Sequence, residues 1–323
     1  MIFLNYNHFS IEFRFPNTLT IQVSSRVMSW FYLALLVPIL YAIVNLLDDN
    51  LLRFVYKSPV LATTFAGCFG ALPLVSLAFK TPTITHELAL LSLAAGLLTV
   101  AYYYFYFKGL QSDTPAVVIA LFSLAPATIP FFAYFLLHER LQISQLIGLT
   151  IVLLASLGIA TVNLKQLKFS KALLPVVIAV IFMDAVSILT KYVYQEAGFY
   201  PAYMYFCAGM GLGGICCLLF RLSNNLKNLS GIKKALKRIL PIFIAAELLN
   251  LAAEFTLNLA ISLGSVSLVK VIEGIQPMFV LLIALGLYPL FPKYFREAKE
   301  GRIPQKLILM LIIIVGLVLI SVA

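Results

Sequence analysis

The sequence predicts an all-α integral membrane protein of ten transmembrane helices, arranged as two inverted five-helix repeats. Three observations point to the membrane class. Hydrophobic residues fill 62% of the 323 positions and charged ones only 11%, against ~25% in soluble domains, whose surfaces must face water. Apolar runs of about 20 residues, the length that crosses a ~30 Å hydrocarbon core as helix, recur along the whole chain. Strand-like alternation is absent, which argues against a barrel. The outer surface must be lipid.

The predicted spans are 29–49, 59–79, 88–107, 115–137, 143–163, 172–192, 200–220, 239–259, 265–287 and 306–323. Most connections are short, which implies antiparallel neighbours in a bundle, and no stretch is long enough for an extra soluble domain. Residues 1–28 form a tail in which polar residues interrupt every apolar run. Met28 stands directly before the first good span, so translation starting there is an expectation. Intact mass spectrometry showing a chain from Met1 would dismiss it.

Taken in order, the spans carry a few polar residues that need a reason, because an ionised side chain at the bilayer centre costs at least ~2.5–3.5 kcal/mol. Span 1 ends on Asn45, Asp48, Asp49 and Asn50; Asn45 and Asp48 share a face, although part of the cluster could simply reach interfacial water. Span 3 holds Tyr102, Tyr103, Tyr104 and Tyr106, either an interfacial belt or an aromatic wall for a planar or amphipathic solute. Span 4 carries Pro126 and span 9 Pro277, each expected to kink its helix and free a carbonyl. Span 6 holds Asp184 deep in an apolar run, a functional carboxylate or a partner for Lys191. Gly209, Gly211, Gly213 and Gly214 in span 7 read as close helix packing, since a phosphate loop needs a preceding strand.

Spans 8 and 9 carry the strongest signal. Glu247, Glu254 and Asn258 fall on one stripe, because steps of 7 and 11 residues return near the same azimuth at ~100° per residue, and Asn250 joins them. Lys270, Glu273 and Gln276 share a face of span 9 at i, i+3 spacing. The two stripes suggest a polar seam in which Lys270 neutralises Glu254 or Glu247, with Glu273 competing. A structural ion pair is one reading. A substrate or ion pathway is the other: three carboxylates around one lysine leave titratable groups over, which admits a coupling proton.

The chain also shows weak internal repetition. Leu51-Leu52-Arg53-Phe54-Val55-Tyr56 resembles Leu189-Thr190-Lys191-Tyr192-Val193-Tyr194, and a shift of 151 residues aligns Pro126 with Pro277 and Gly109 with Ala260. A five-span unit crosses an odd number of times, so its second copy is upside down, as in many secondary transporters with a midplane site. The predicted units are 29–163 and 172–323.

Leu124-Ala125-Pro126, the run to Leu137-His138-Glu139-Arg140-Leu141, then Gln145 and Gly148 resemble the fourth-to-fifth-span signature of the EamA family of the drug/metabolite transporter superfamily. Ala260, Gly264 and Pro277 echo it in the second half. One departure is clear: no glutamate matching Glu139 follows span 9, where a basic insertion over 293–302 stands instead. The resemblance implies ten helices, movement of small organic solutes and no bound cofactor.

The net charge of +10 comes from basic residues in short turns, where topology determinants belong, so nucleic acid is not an expected partner. Seventeen basic residues fall in loops after odd spans and five on the opposite side, a bias that puts both termini outside the cytoplasm. The family resemblance implies termini inside. The expected location is the plasma (inner) membrane of a prokaryote; oligomeric state is left open.

The function expected is a secondary transporter moving a small polar or amphipathic metabolite by alternating access. A lipid-intermediate flippase differs only in solute. An intramembrane enzyme is disfavoured: His8, His86 and His138 lie outside the predicted spans, so no intramembrane histidine–metal centre can be built, and no nucleophile–base pair is visible. A pure scaffold has no need of lysine and carboxylates in adjacent spans. Cys68, Cys207, Cys216 and Cys217 sit in apolar segments and read as small buried hydrophobes rather than disulfides or metal ligands.

Overall fold

The structure, a computed structural model, describes residues 25–51, 58–78, 81–112, 118, 121–122, 125–161, 171–223, 229–287, 289 and 303–322. The tail through residue 24, the repeat element at 52–56, Leu124 and the 293–302 insertion lie outside the described residues, as do the Asp49 and Asn50 side chains.

Helices follow the apolar runs: α1 (Ser25–Leu51), α2 (Pro59–Gly70) continued by a 3-10 segment (Leu72–Ala78), α3 (His86–Ser112), α4 (Ala125–Leu137), α5 (Ile143–Thr161) and α6 (Leu173–Ala197). Then come α7 (Phe199–Ser223), α8 (Leu229–Leu263), α9 (Val266–Glu273), α10 (Gln276–Leu287) and α11 (Ile303–Val322). Eight segments are long and apolar enough to cross a bilayer, with α9 and α10 forming one of them. The shorter apolar helices α4 and α5 bring the number to ten. No strand occurs among the described residues. Phe131, Phe135, Leu154, Leu174, Ile181 and Leu311 are exposed on the outside of the bundle, as expected where the solvent is hydrocarbon.

The ninth span is not one kinked helix but two. Proline lacks an N–H and its ring clashes with the carbonyl four residues back, so Pro277 cannot continue α9 past Glu273. Gly274 closes α9 by donating to the Lys270 carbonyl at 3.1 Å, and Ile275 turns the chain by donating to Ile272 at 3.1 Å. The helix restarts at Gln276 with Pro277 in its first turn, where a missing N–H costs little. Pro126 lies near the start of the described part of the fourth span, where residues 118 and 121–122 ahead of it are helical too, and Pro130 follows one turn on. The break in the ninth span meets Pro126: a Cβ at Gly274 would lie 2.8 Å from Pro126 Cγ.

The packing pairs are α1 with α8, α3 with α6 and α7, α2 with α7, α5 with α11, and α4 with α9 and α6. The glycines of α7 serve this packing. A Cβ on Gly209 would sit 2.1 Å from the Leu93 carbonyl oxygen of α3, and one on Gly213 would sit 2.8 Å from Val100. Small residues let backbones approach closely where lipid supplies no hydrophobic drive. Gly209→Leu should therefore destabilise the bundle by about 1–3 kcal/mol or more through overpacking. A lowered melting temperature in detergent checks it; an unchanged one refutes the close contact.

Candidate functional site

Three helices turn polar faces to a common space. On α1, Tyr41, Asn45 and Asp48 follow at four- and three-residue steps, one face of a helix. On α3, Tyr102 and Tyr103 lie four and three residues before Tyr106, and on α8, Asn250, Glu254 and Asn258 follow at four-residue steps. The α9–α10 break adds Lys270, Glu273, Gln276 and Pro277.

These residues enclose a cavity of about 800 Å³, counting its open side. Asn45, Asp48, Tyr102, Tyr103, Tyr106, Phe122, Pro126, Asn250, Lys270, Glu273, Gln276 and Pro277 are all on its wall. A smaller chamber of about 380 Å³ lies further along α8, lined by Thr99, Ser187, Thr190, Glu254, Asn258 and Ile261. Tyr41, Tyr102, Met183, Lys270 and Glu273 line both and so form the partition between them.

The partition is held by hydrogen bonds to one carboxylate. Tyr41 donates to Glu254 Oε2 at 2.8 Å, Tyr103 donates to the same oxygen at 3.2 Å, and Asn258 Nδ2 donates to Oε1 at 2.9 Å. Tyr194 in turn donates to Asn258 Oδ1 at 2.7 Å, and on the wall of the larger cavity Tyr106 donates to Asn45 Oδ1 at 2.6 Å. Glu254 therefore has no need of Lys270, and the expected cross-helix neutralisation does not form. Lys270, 1% exposed, pairs with Glu273 one turn along its own helix. The i, i+3 spacing decides this: the two side chains share a face before any other helix packs against them.

Asp184 and Lys191 do not pair either. Asp184 Oδ2 is bonded to the Thr128 hydroxyl at 2.5 Å. Lys191, inside α6 rather than in a loop, donates to the carbonyls of Ile261 at 3.0 Å and Gly264 at 2.6 Å. Asp184 and Glu247 are buried but are not among the residues lining either cavity. Tyr104 turns away from the cavity, its ring 5.9 Å from the Lys108 ammonium. His86 opens α3 instead of preceding it, and is exposed there.

Beyond the smaller chamber stand capping groups that the composition of the spans did not reveal. The Glu139 carboxylate accepts from the Val266 N–H at 2.9 Å, the Ser267 N–H at 3.2 Å and the Ser267 hydroxyl, capping the start of α9. Glu139 is aimed by a tight helix end: its N–H donates to Ala133 O at 3.1 Å after His138 turns to a φ of 54°. Lys191 meanwhile caps the carbonyls at the end of α8. A carboxylate on a helix N-terminus and an ammonium on a C-terminus both match the helix dipoles, so the α8–α9 turn is gripped from α4 and α6. Gly264 in that turn packs directly under Trp30.

Residues 28–161 match the EamA-like transporter family. This segment is similar to an EamA unit. It covers α1 to α5, including Asn45, Asp48, the tyrosine wall and Glu139. The EamA-like family is a transporter family, and the apolar helices make this chain a multi-pass integral membrane protein. No curated protein matches the chain. Among solved structures, one crystal structure aligns with a TM-score of 0.64 at 17% identity, covering 92% of this chain and 98% of that one. That likeness is one of fold. Among the described residues, no group of three His, Cys, Asp or Glu side chains could hold a metal ion.

Proposed function

We propose that the protein is a secondary transporter that moves a small organic metabolite by alternating access, with the two cavities as its path. The observation that carries this is the sequence of environments along α8: an open polar cavity at Asn250, a partition at Glu254, a smaller polar chamber at Asn258 and a charged closure at Ile261 and beyond. A polar path that leads most of the way through a bundle and stops at a set of charged caps is what a carrier needs when one side is shut.

The packing supports two inverted five-helix units, 29–163 and 172–323. Exchanging the halves maps the pair α1·α8 onto α6·α3, and both pairs are extensive. The second and seventh spans pair with each other, as do the fifth and tenth. Their contacts are reciprocal: a Cβ on Gly148 would lie 2.7 Å from Gly316 O, and one on Gly316 would lie 2.9 Å from Gly148 O. Mutual contact of this kind is what a two-fold axis generates. Alternating access then opens the α8–α9 turn from Glu139 and Lys191 while the larger cavity closes. The charge bias of the loops turns that cavity toward the cytoplasm.

The test is exchange of solutes from a cell extract across proteoliposomes, followed by mass spectrometry. Glu254→Gln, which keeps the side-chain shape but removes the charge that three donors serve, should lower exchange by about tenfold or more, since hydrogen bonds to a charged group contribute roughly 1.5–3 kcal/mol. Membrane abundance should hold. Full exchange in that variant, or none in the parent protein, would refute the reading.

A further inference from the structure

The chemistry of the larger cavity narrows the solute class, an inference that rests on the transporter reading above. Asp48 stands on the cavity wall, and among the described residues its carboxylate has no hydrogen bond and no ion pair. On the same wall, Tyr102, Tyr106 and Phe122 form an aromatic corner with centroid separations of 6.3, 6.0 and 5.6 Å. Phe122 stands at 83° to Tyr102 and 68° to Tyr106, so the rings form a corner rather than a flat stack.

The wall has no matching provision for an anion. Its one described cation, Lys270, is 1% exposed and already held by Glu273. An incoming carboxylate or phosphate would have to break that pair and face Asp48 as well. An ammonium group instead finds a carboxylate without a partner among the described residues, and ring faces whose negative quadrupole attracts cations.

We infer that the cavity selects an organic ammonium compound, an amine or quaternary ammonium carried on an apolar or aromatic body, over its neutral and anionic analogues. Asp48 reads the charge, and the Tyr102–Tyr106–Phe122 corner reads both the charge and the apolar body.

The experiment uses the full chain in lipid nanodiscs and four probes of similar shape: phenethylamine, phenethyltrimethylammonium, 2-phenylethanol and 3-phenylpropionate. Calorimetric titration should show both cations binding and the alcohol and acid weaker by about tenfold or more, the worth of one ~1.4 kcal/mol contact. Asp48→Asn should erase the preference for cations and Asp48→Glu should retain it, with unchanged melting temperatures showing both variants folded. Should Asp48→Asn fail to fold, Tyr102→Leu supplies the second arm and should weaken the quaternary ammonium by about tenfold. Equal or tighter binding of the acid, a preference surviving in Asp48→Asn, or no binding of either cation would overturn the inference. The parent reading fails separately: exchange of neutral or anionic extract solutes in proteoliposomes would leave transport standing and only the solute class overturned.

Discussion

Lys270→Ala is expected to abolish solute exchange and to destabilise the protein by about 3–5 kcal/mol, the usual consequence of leaving one member of a buried ion pair alone. Lys270 is 1% exposed, and the Glu273 side chain that it neutralises only 15%. Both sit on the partition and on the last turn of α9, where the ninth span breaks. The double variant Lys270→Met with Glu273→Gln removes both charges while roughly keeping shape. It should recover most of the melting temperature, because a neutral pair has no unpaired charge to bury. It should not recover exchange. Restored stability without restored exchange would assign the pair to transport. If both returned together, the pair would be structural and the partition would have no charged function.

Glu139→Ala is the second large effect. The carboxylate takes two backbone N–H groups and a hydroxyl at the head of α9. Charge-assisted hydrogen bonds of this sort contribute roughly 1.5–3 kcal/mol, so the closed end should lose stability by a factor of about 10–150 relative to its open form. Under the proposed alternating access, exchange should fall because that end no longer closes, while binding at the larger cavity persists. Glu139→Gln keeps an acceptor but not the charge, and should lie between the two. Lys191→Met, which removes the cap on the Ile261 and Gly264 carbonyls, should act in the same direction. Unimpaired exchange in Glu139→Ala would show that these caps only anchor a turn.

Some of this was open to reading in the sequence and some was not. The spans were, because apolar length alone fixes them in lipid. So were most of the residues on the cavity walls: Asp48, Asn250, Glu254, Lys270 and Glu273 stand out because charge and amide groups are costly in a bilayer. Their partners were less legible. Lys270 had three carboxylates to choose from on paper, and only the α8–α9 geometry shows Glu254 already satisfied by Tyr41, Tyr103 and Asn258. Tyr41 itself carried a usable signal, lying on the same helical face as Asn45 and Asp48. Thr128, which engages Asp184 from another helix, carried none. Glu139 was visible as part of a signature, but its contact with Val266, 127 residues on, follows from tertiary packing. The break after Glu273 was foreshadowed by Gly274 and Pro277 together, although Pro277 alone suggested a kink.

The central claim is that a single water-filled path reaches from the larger cavity to a closed far end and is exposed to one side at a time. The most direct measurement is labelling by a membrane-impermeant thiol reagent in oriented vesicles, with Cys68, Cys207, Cys216 and Cys217 first replaced. One new cysteine at Val44 marks the larger cavity and one at Thr190 the smaller chamber. The account predicts that Val44→Cys reacts from the mouth side only, and that Thr190→Cys is protected from the far side until Glu139→Ala is added. Labelling of Thr190→Cys from the far side with Glu139 intact, or no labelling of Val44→Cys from either side, would contradict it.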